Sequence, residues 1–535
     1  MVRPKGAPVT DGTTEGTANG ARALLRTLVA SGVDTCFTNP GTSEMHFVAA
    51  LDAVPEMRAV LCLFEGVATG AADGYARMAD RPAATLLHLG PGLGNGLANL
   101  HNARRARVPV VNIVGDHATY HKQYDAQLES DIETVARNVS RWIRSSASPA
   151  EVGRDAAEAV AVAQGPPGQV ATLILPADVS WTEGALEGTP PPPRPATPVD
   201  ADAVDAVAKA LRSGEPACLF LGGGALREDG LAAASRVANA TGAKLLAETF
   251  PTRLQRGAGR PPIDRLAYLA EFAAAQLAGL RHLVVVDAKA PVSFFAYPGR
   301  ASDLVPEGCE VHVLAEGSGN AAAVLDALAE VVGAPADGAT RQPAERPDLP
   351  AGELTAQSVS QALAALLPEG AVVSDEGITS SLFTPGLTAG APPHDWLTLT
   401  GGAIGQGLPV ATGAAVACPD RKVVALQADG SALYTLQALW TQAREGLDVV
   451  TILFNNRAYA VLRMELDRVG AEAAGPKARD LFDLSRPDID FVALSEGLGV
   501  PATRATTAEE MTEQLGRALA EPGPALIEAV VPPIL

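Results

Sequence analysis

Oxygen-bearing side chains follow two apolar runs in residues 423–456, which read VVALQADGSALYTLQALWTQAREGLDVVTILFNN. Asp429 comes directly after the first run, and Asn456 ends the second. The carboxyl ends of parallel strands lie at one edge of an open sheet, so these groups are expected to lie together there. Their oxygens suit octahedral Mg²⁺ that also binds phosphate, and Gly430 before a helix favours close approach of that phosphate. The segment predicts a metal–phosphate site, although Asp-Gly-Ser alone would more simply be a turn with a helix cap.

A second acidic residue, Glu65, closes an apolar run and opens a predicted helix in residues 61–77, LCLFEGVATGAADGYAR. A buried carboxylate is costly without a partner. Glu65 therefore has either a functional partner or the simpler role of stabilising the N-terminus of its helix. The helix also carries small residues that would let another helix approach very closely: Ala68, Gly70, Ala71, Ala72, Gly74 and Ala76.

Both segments resemble the thiamine-diphosphate-dependent enzyme family, whose signature is GDG followed at some distance by NN. This chain departs from it with Ala428 at the position of the first glycine. The resemblance extends over nearly the whole chain and is closest to benzoylformate decarboxylase, in the group that also holds acetolactate synthase and pyruvate decarboxylase. It implies that Asp429, the Asn456 side chain and the Ala458 carbonyl bind Mg²⁺.

The resemblance also implies three catalytic residues. Glu65 matches the glutamate that bonds N1′ of the aminopyrimidine and promotes loss of the thiazolium C2 proton. Residues 37–44, FTNPGTSE, resemble a substrate loop and place Thr42 where benzoylformate decarboxylase has a serine. In LLHLGPGLGN (residues 86–95), His88 matches a catalytic histidine, although a single histidine after a strand is often structural. The second histidine of that enzyme has no counterpart in residues 290–300, so substrate protonation is expected to differ.

Two further segments bear on the cofactor and the substrate. Residues 399–409, LTGGAIGQGLP, resemble the segment that bends thiamine diphosphate into a V, with Ile404 as the apolar wedge and the carbonyl of Gly402 as an acceptor. The implied cofactor contacts are Gly402, Ile404, Gly430, Ser431 and Tyr459. The implied substrate neighbours are Val461, Leu462 and Glu465. Glu465 is expected either as an unpaired carboxylate that disfavours an aromatic 2-oxo acid, or on a solvated helix face.

The function implied by the resemblance is non-oxidative decarboxylation of a 2-oxo acid through an enamine intermediate. The alternatives are an acetolactate synthase-like carboligase and, in a different class, a non-catalytic nucleotide-binding or regulatory homologue. The implied assembly is a homodimer or homotetramer in which Glu65 faces the partner subunit's Asp429. The sequence LGGGA (residues 221–225) leaves room for FAD, but it lacks the full GxGxxG fingerprint.

The chain has 535 residues. Because a single hydrophobic core stops growing near roughly 250–300 residues, a chain of this length is expected to form about three domains, which must position these residues. Each block alternates β-branched runs with Ala-rich helical periodicity, which predicts an α/β fold of three doubly wound parallel-sheet domains. The predicted parts are a flexible tail (1–18), a pyrimidine-binding domain (19–185), a Pro-rich linker (186–200), a central domain (201–334), a second linker (335–352) and a diphosphate-binding domain (353–535). The predicted strands include 34–38, 59–63, 83–88, 110–114, 170–175, 217–221, 282–287, 310–314, 371–374, 422–428, 449–455 and 525–530.

Composition and charge restrict the binding partners and the cellular compartment that we expect for this protein. With 41 Lys and Arg against 61 Asp and Glu, the formal charge is 41 − 61 = −20, which disfavours nucleic acid and anionic membranes. The five cysteines are scattered and never form a CxxC pair, and residues 1–20 lack the apolar core of a signal peptide. No uninterrupted apolar stretch of about 18 residues could span a bilayer. We expect a cytoplasmic protein.

Overall fold

Three sheets, each with helices packed around it, follow one another along the chain, as the alternating pattern predicts. This computed structural model describes residues 18–192, 195, 197–317, 319–470 and 475–533. All but the last residue of the predicted tail (1–18) therefore lies outside the described residues. The described parts of the two predicted linkers contain neither helix nor strand, and the domain boundaries stay predictions.

The first sheet has six parallel strands in the order β2-β1-β3-β4-β6-β5. Its strands are β1 (Thr35–Thr38), β2 (Arg58–Leu61), β3 (Ala83–Leu87), β4 (Val110–Asp116), β5 (Trp142–Ser145) and β6 (Val170–Pro176). Its helices are α1 (Gly20–Ala30), α2 (Met45–Ala50), α3 (Glu65–Ala79), α4 (Leu89–Arg105), α5 (Ile132–Ala136), α6 (Pro149–Gln164) and α7 (Ala177–Trp181). The loops after β1, β2 and β3 consequently meet at one edge of this sheet.

The middle sheet has five parallel strands in the order β10-β8-β7-β11-β12. Its strands are β7 (Ala217–Leu221), β8 (Lys244–Ala247), β10 (Asp264–Arg265), β11 (His282–Val286) and β12 (Glu310–Ala315). Its helices are α8 (Ala201–Leu211), α9 (Glu228–Thr241), α10 (Ala270–Leu277) and α11 (Ala321–Val332). One strand from this part of the chain, β9 (Leu254–Arg256), leaves the middle sheet and joins the third.

The third sheet has seven strands in the order β17-β18-β16-β15-β13-β14-β9, of which β9 is antiparallel to its neighbour. Its other strands are β13 (Val372–Glu376), β14 (His394–Thr398), β15 (Val423–Ala428), β16 (Val449–Asn455), β17 (Ala502–Ala505) and β18 (Ala525–Val530). Its helices are α12 (Ala356–Leu366), α13 (Thr384–Leu387), α14 (Gly407–Ala417), α15 (Asp429–Ala432), α16 (Ala438–Glu445), α17 (Ala460–Arg468), α18 (Pro476–Asp480), α19 (Phe491–Gly497) and α20 (Ala508–Ala520).

Every strand predicted from the sequence is present, with ends that differ by at most a few residues. Six strands were not predicted: β5, β8, β9, β10, β14 and β17. All of these lie at a sheet edge or one place from it. Five of them are partly exposed and need no continuous apolar run. The sixth, β14, is buried throughout, but its segment HDWLT mixes polar with apolar residues and gave no clear signal.

Helices α3 and α14 join the first and third units backbone to backbone. A Cβ placed on Gly74 would lie 2.1 Å from the carbonyl oxygen of Val410, and one on Gly413 would lie 1.8 Å from that of Ala71. No side chain larger than hydrogen fits at either glycine without moving main chain. The small residues of residues 61–77 therefore serve the close helix approach that their sequence predicts.

A buried ion pair stands at the end of the same helix. Arg77 and Asp73 are 2.7 Å apart, and both side chains are 0% exposed. Arg77 also donates to the Thr398 carbonyl at 2.9 Å, while Gln406 Nε2 donates to Asp73 at 2.7 Å. Breaking a buried pair by removing one partner typically costs about 3–5 kcal/mol, so this network ties α3 firmly to the third unit.

No helix among the described residues is both long enough and apolar enough to cross a membrane. All five cysteines are free thiols, and three of them are buried.

Candidate active site

The three predicted metal ligands lie together at the carboxyl edge of the third sheet. Asp429 follows β15, and Asn456 follows the adjacent strand β16. Both residues are nearly buried, with exposures of 2% and 9%. Asp429 Oδ2 accepts the Arg457 N–H at 2.7 Å, and Asn456 Oδ1 accepts the Ala458 N–H at 3.0 Å. The turn after β16 thus brings Asn456 and Ala458 against Asp429.

The charge at this edge fits a bound cation. Burial raises the pKa of Asp429 to about 6, despite opposing backbone N–H donors that include Gly430. No Lys, Arg or His among the described residues forms an ion pair with this carboxylate, and the nearby Arg457 guanidinium pairs with Asp488 at 2.9 Å instead. Within the same part of the chain, no backbone N–H donates to the Ala458 carbonyl. A buried carboxylate without a cation and a carbonyl without a donor are oxygens that Mg²⁺ would accept as ligands.

The predicted diphosphate contacts cluster beside these ligands. A Cβ placed on Gly430 would lie 2.3 Å from Cε1 of Tyr459, so the tyrosine ring packs directly on this glycine. Ser431 Oγ accepts from Gln427 Nε2 at 2.7 Å and donates to the Ala428 carbonyl at 3.2 Å. The structure therefore brings all three residues together, and their contacts to the cofactor stay predictions.

A buried carboxylate that sequence reasoning missed, Glu376, anchors the loop that carries Gly402. Its oxygens accept the successive backbone N–H groups of residues 405–407 at 2.7, 3.2 and 2.7 Å, and Gln427 Nε2 at 2.9 Å. Burial outweighs these four donors and raises the pKa of Glu376 to about 7. Glu376 ends β13, which pairs with β15. Asp429 was predicted because it is an acidic residue at the carboxyl end of a parallel strand. The same criterion, applied to β13, would have predicted Glu376.

The anchored loop presents Gly402 and Ile404. Gly402 has a φ of +75°, and a Cβ there would lie 2.7 Å from Cζ of Phe294. Ile404 is half-buried. Phe294 comes from residues 290–300, the segment that lacks the second histidine, and it belongs to an aromatic cluster with Phe250, Tyr268 and Phe295. An aromatic ring, not an imidazole, therefore reaches the loop from the middle unit.

Glu65 begins α3, as the sequence predicts, and is 7% exposed. Its Oε2 accepts Asn95 Nδ2 at 3.0 Å. No ion pair in the described part of the chain includes this carboxylate, and the side-chain amide of Asn95 is its one hydrogen-bond donor there. The other oxygen, Oε1, accepts no hydrogen bond from a described residue and remains available to a ligand.

His88 follows β3 and pairs with a buried carboxylate that the sequence analysis did not single out. Its Nδ1 lies 2.9 Å from Oε2 of Glu44, which is 1% exposed. Burial raises the pKa of Glu44, while the neighbouring His88 acts in the opposite direction. Thr42 lies on the exposed side of the same loop and makes no side-chain hydrogen bond to a described residue. The predicted substrate loop thus supplies Glu44 as the partner of the histidine, and the role of Thr42 stays a prediction.

Glu65 and the histidine pair are neighbours across one glycine. A Cβ placed on Gly92 would lie 3.3 Å from Glu65 Oε1 and 3.4 Å from Cβ of His88. The strand ends that carry Glu65, His88 and Glu44 belong to β2, β3 and β1, which are adjacent in the first sheet. Three titratable groups therefore converge at this edge.

Helix α4 connects the first unit to the loop of residues 401–405. His101 Nε2 lies 3.1 Å from the Gly401 carbonyl oxygen, and Asn99 and Asn102 donate to the carbonyls of residues 405 and 403 at 3.1 and 2.8 Å. His101 is thus part of the contact. Within the described residues, no hydrogen bond links the Glu65 carboxylate to the metal ligands, and we refer to the residues around each as a half-site.

Glu465, on α17, is neither the unpaired carboxylate nor the solvated residue expected from the sequence. It accepts the Tyr297 hydroxyl at 2.9 Å and the Tyr268 hydroxyl at 3.4 Å, and its side chain is 15% exposed. On the same helix, Val461 is half-buried and Leu462 is exposed. Because Glu465 is paired with two tyrosine hydroxyls, it gives no reason to expect that aromatic substrates are disfavoured. The placement of these three residues beside a substrate stays a prediction.

The glycine-rich turn of the middle unit binds a carboxylate of the chain itself. Asp287 accepts the N–H groups of Gly224 and Gly317 at 2.7 and 2.8 Å, and Arg107 lies 3.5 Å from it. These backbone donors are the groups that a dinucleotide phosphate would need. Their use by Asp287 weighs against FAD at this turn.

Comparison with known proteins gives matches to both half-sites. Residues 18–136 match the N-terminal TPP binding domain of thiamine pyrophosphate enzymes, and residues 382–529 match the C-terminal TPP binding domain. The chain is 63% identical to IlvX of Mycobacterium tuberculosis, provisionally named an acetolactate synthase large subunit, over 97% of this chain and 100% of the relative. It is 31% identical to benzoylformate decarboxylase of Pseudomonas aeruginosa, over 93% and 96%.

A solved structure agrees over nearly the whole chain. The thiamine diphosphate-dependent 4-hydroxybenzoylformate decarboxylase of Rhodococcus jostii RHA1 superposes with a TM-score of 0.82 at 26% identity, covering 96% of this chain and 99% of that one. Glu65 and His88 fall in the first matched region, and Asp429 and Asn456 fall in the second. The chain therefore belongs to the thiamine-diphosphate-dependent enzymes, among relatives that include 2-oxo acid decarboxylases and acetolactate synthases.

Proposed function

We propose that this enzyme decarboxylates a 2-oxo acid without oxidation, using thiamine diphosphate held through Mg²⁺. The observation that supports decarboxylation most directly is the pairing of His88 with the buried Glu44, next to Glu65. Release of an aldehyde requires a proton at the carbon that has lost CO₂. A histidine backed by a carboxylate is a suitable donor of that proton.

The chain's own groups would divide the remaining work. Asp429, Asn456 and the Ala458 carbonyl would hold the metal, and Gly430, Ser431 and Tyr459 would adjoin the diphosphate. Gly402 and Ile404 would set the bend of the cofactor, on a loop kept in place by Glu376. Glu65 would hold a proton at N1′ of the aminopyrimidine. When bound, the cofactor supplies a carbon nucleophile and an electron sink for decarboxylation.

Glu44 would act on His88 as a positioning residue. It engages Nδ1, so the other ring nitrogen, Nε2, is free of hydrogen bonds to described residues. A carboxylate on one ring nitrogen fixes the orientation of the imidazole. Nε2 would then carry the proton to the substrate carbon.

The surface around both half-sites supports an assembly of at least two subunits. Leu63 is exposed two residues before Glu65, Leu382 is exposed two residues after Ser380, which contacts Asn456 at 3.4 Å, and Tyr434 is exposed beyond the metal-site turn. Large exposed apolar residues at a site commonly mark a protein interface. A homodimer or homotetramer, with Glu65 facing the partner subunit's Asp429, would cover them. We also propose that the protein is cytoplasmic, because its five cysteines are free thiols.

Carboligation is the second candidate, because the 63% identical relative carries an acetolactate synthase name, given provisionally. The two reactions share their first half. In decarboxylation the carbon that has lost CO₂ takes up a proton, whereas in carboligation it forms a bond with a second carbonyl carbon.

The test is incubation of the purified enzyme with thiamine diphosphate, Mg²⁺ and a panel of aliphatic and aromatic 2-oxo acids, with CO₂ measured and products identified. A decarboxylase yields one aldehyde per CO₂, and His88→Ala should lower aldehyde yield more than it lowers cofactor affinity. A hydroxy-keto acid as the main product would establish the carboligase. Failure to bind thiamine diphosphate in calorimetry would refute both activities and leave a non-catalytic homologue.

A further inference from the structure

The amino-terminal edge of the middle sheet carries two histidines and two carboxylates that the proposed reaction does not use. Strands β11 and β12 are parallel neighbours, with His282 paired to Glu310 and Val284 paired to His312. Side chains two residues apart on a strand share a face, so Glu310 and His312 lie on the same face as His282. Glu215 lies two residues before Ala217, which pairs with His282 from the other side.

The distances within this group suit a small cation. His282 Nδ1 lies 3.1 Å from His312 Nε2, and Glu310 Oε2 lies 3.8 Å from each of these nitrogens. Zinc binds nitrogen at about 2.0–2.1 Å in tetrahedral geometry, which puts two ligand nitrogens about 3.3 Å apart. The Glu310 side chain is 69% exposed and can rotate the remaining few tenths of an ångström inward.

Glu215 adds a second observation that points to a metal. It lies 3.2 Å from Nε2 of His282, the ring nitrogen that is not one of the three ligand atoms. A metal-binding histidine almost always donates its second N–H to a carboxylate, a carbonyl or water, which fixes its tautomer and orients its lone pair. With Nε2–H donating to Glu215, the lone pair of Nδ1 points into the cluster.

The charges agree with this arrangement. Glu310 and Glu215 contribute two negative charges, and Arg281, 3.6 Å from Glu215, contributes one positive charge. A net negative group with two imidazoles favours a borderline divalent ion over Mg²⁺, which prefers oxygen ligands.

We propose that His282 Nδ1, His312 Nε2 and the Glu310 carboxylate form a binding site for a divalent transition-metal ion of the zinc type, with Glu215 orienting His282. Water completes the coordination. The site joins β11 to the edge strand β12 at the amino end of the middle sheet, and none of its residues belongs to the groups assigned to the reaction. It is therefore independent of the Mg²⁺ ligands around Asp429.

The experiment titrates Zn²⁺ into tag-free holoenzyme by calorimetry, with thiamine diphosphate and excess Mg²⁺ present so that the cofactor site is filled. We expect one Zn²⁺ per chain. His282→Asn and His312→Asn should each abolish this binding, and Glu215→Gln should weaken it by about 10- to 100-fold. Turnover and the far-ultraviolet circular dichroism of these variants should match the unsubstituted enzyme.

Matched controls remove similar groups elsewhere. His46→Asn takes away a histidine that stacks on Trp181 in the first unit, and Glu307→Gln takes away a carboxylate three residues before Glu310. Both should bind Zn²⁺ as the unsubstituted enzyme does. Unchanged Zn²⁺ binding in His312→Asn would overturn the assignment.

Cobalt gives a readout that needs no variant. Co²⁺ added to the same Mg²⁺-saturated holoenzyme should develop the intense visible absorption of a four-coordinate site with nitrogen ligands, and Zn²⁺ should displace it. If no Zn²⁺ binds and only the weak spectrum of hydrated Co²⁺ appears, the cluster is a histidine hydrogen bond beside two carboxylates and the proposal is wrong.

Discussion

Replacing Glu65 with Gln should separate proton transfer from binding. The carboxylate is nearly buried, contacts Asn95 through Oε2 and has the Gly92 backbone beside Oε1. A glutamine has almost the same shape, and its amide oxygen can face Asn95. The substitution therefore keeps the local packing but removes the group that would hold a proton at N1′ of the cofactor.

The expected magnitudes differ for the two properties. The binding change is limited to replacing one hydrogen bond by a weaker one, worth about 1 kcal/mol, so the cofactor Kd should rise by less than about tenfold. Loss of a general acid–base group lowers turnover by about 10²- to 10⁴-fold, which corresponds to about 3–5.5 kcal/mol in the activation barrier. The fall in kcat should thus exceed the change in Kd by at least an order of magnitude.

Three measurements decide the matter: kcat with the best 2-oxo acid, Kd for thiamine diphosphate by calorimetry, and exchange of the cofactor's C2 proton for deuterium by NMR. Asn95→Ala is the matched control, because it deletes the same hydrogen bond and keeps the carboxylate. It should lose no more than about tenfold in turnover. A Glu65→Gln enzyme that keeps near-normal turnover and C2 exchange would show that Glu65 only supports the start of α3.

Asp429→Ala should abolish the Mg²⁺-dependent part of thiamine-diphosphate binding, and an unchanged Kd on adding Mg²⁺ would refute the metal assignment. Gly402→Ala should weaken cofactor binding about 5- to 30-fold, because a left-handed backbone costs an L-residue about 1–2 kcal/mol; equal affinity would contradict this. Burial raises the pKa of Glu376 from its ordinary value of 4.5 to about 7. Glu376 therefore stabilises the fold fully below its unfolded-state pKa of 4.5, and this contribution is lost as the pH rises towards 7. The Tm of the unsubstituted enzyme, measured relative to that of Glu376→Gln, should accordingly fall between these two pH values.

Much of the fold and the metal edge could be predicted, because both depend on local pattern. Strands β15 and β16 are mostly apolar, so their ends, and with them Asp429 and Asn456, could be placed from the sequence alone. The same rule applies to Glu376, which ends β13 and was not predicted.

The partners of the site residues were harder to predict, because they come from distant parts of the chain. Glu465 accepts hydroxyls from Tyr268 and Tyr297, which lie 197 and 168 residues earlier. Burial of a carboxylate says that a partner exists, but not which one. Glu44 and His88 are likewise brought together only by the pairing of β1 with β3.

The backbone contact between α3 and α14 has a mechanical consequence. Two helices that touch main chain to main chain cannot slide or roll past one another without a clash, so we expect the first and third units to move as one rigid body. Any opening that admits substrate would then involve the parts outside this rigid body. These are the middle unit, with its aromatic cluster, and α17, which contacts the middle unit through Glu465. Efforts to widen substrate range by mutagenesis should therefore succeed in those parts and fail at Gly74 and Gly413.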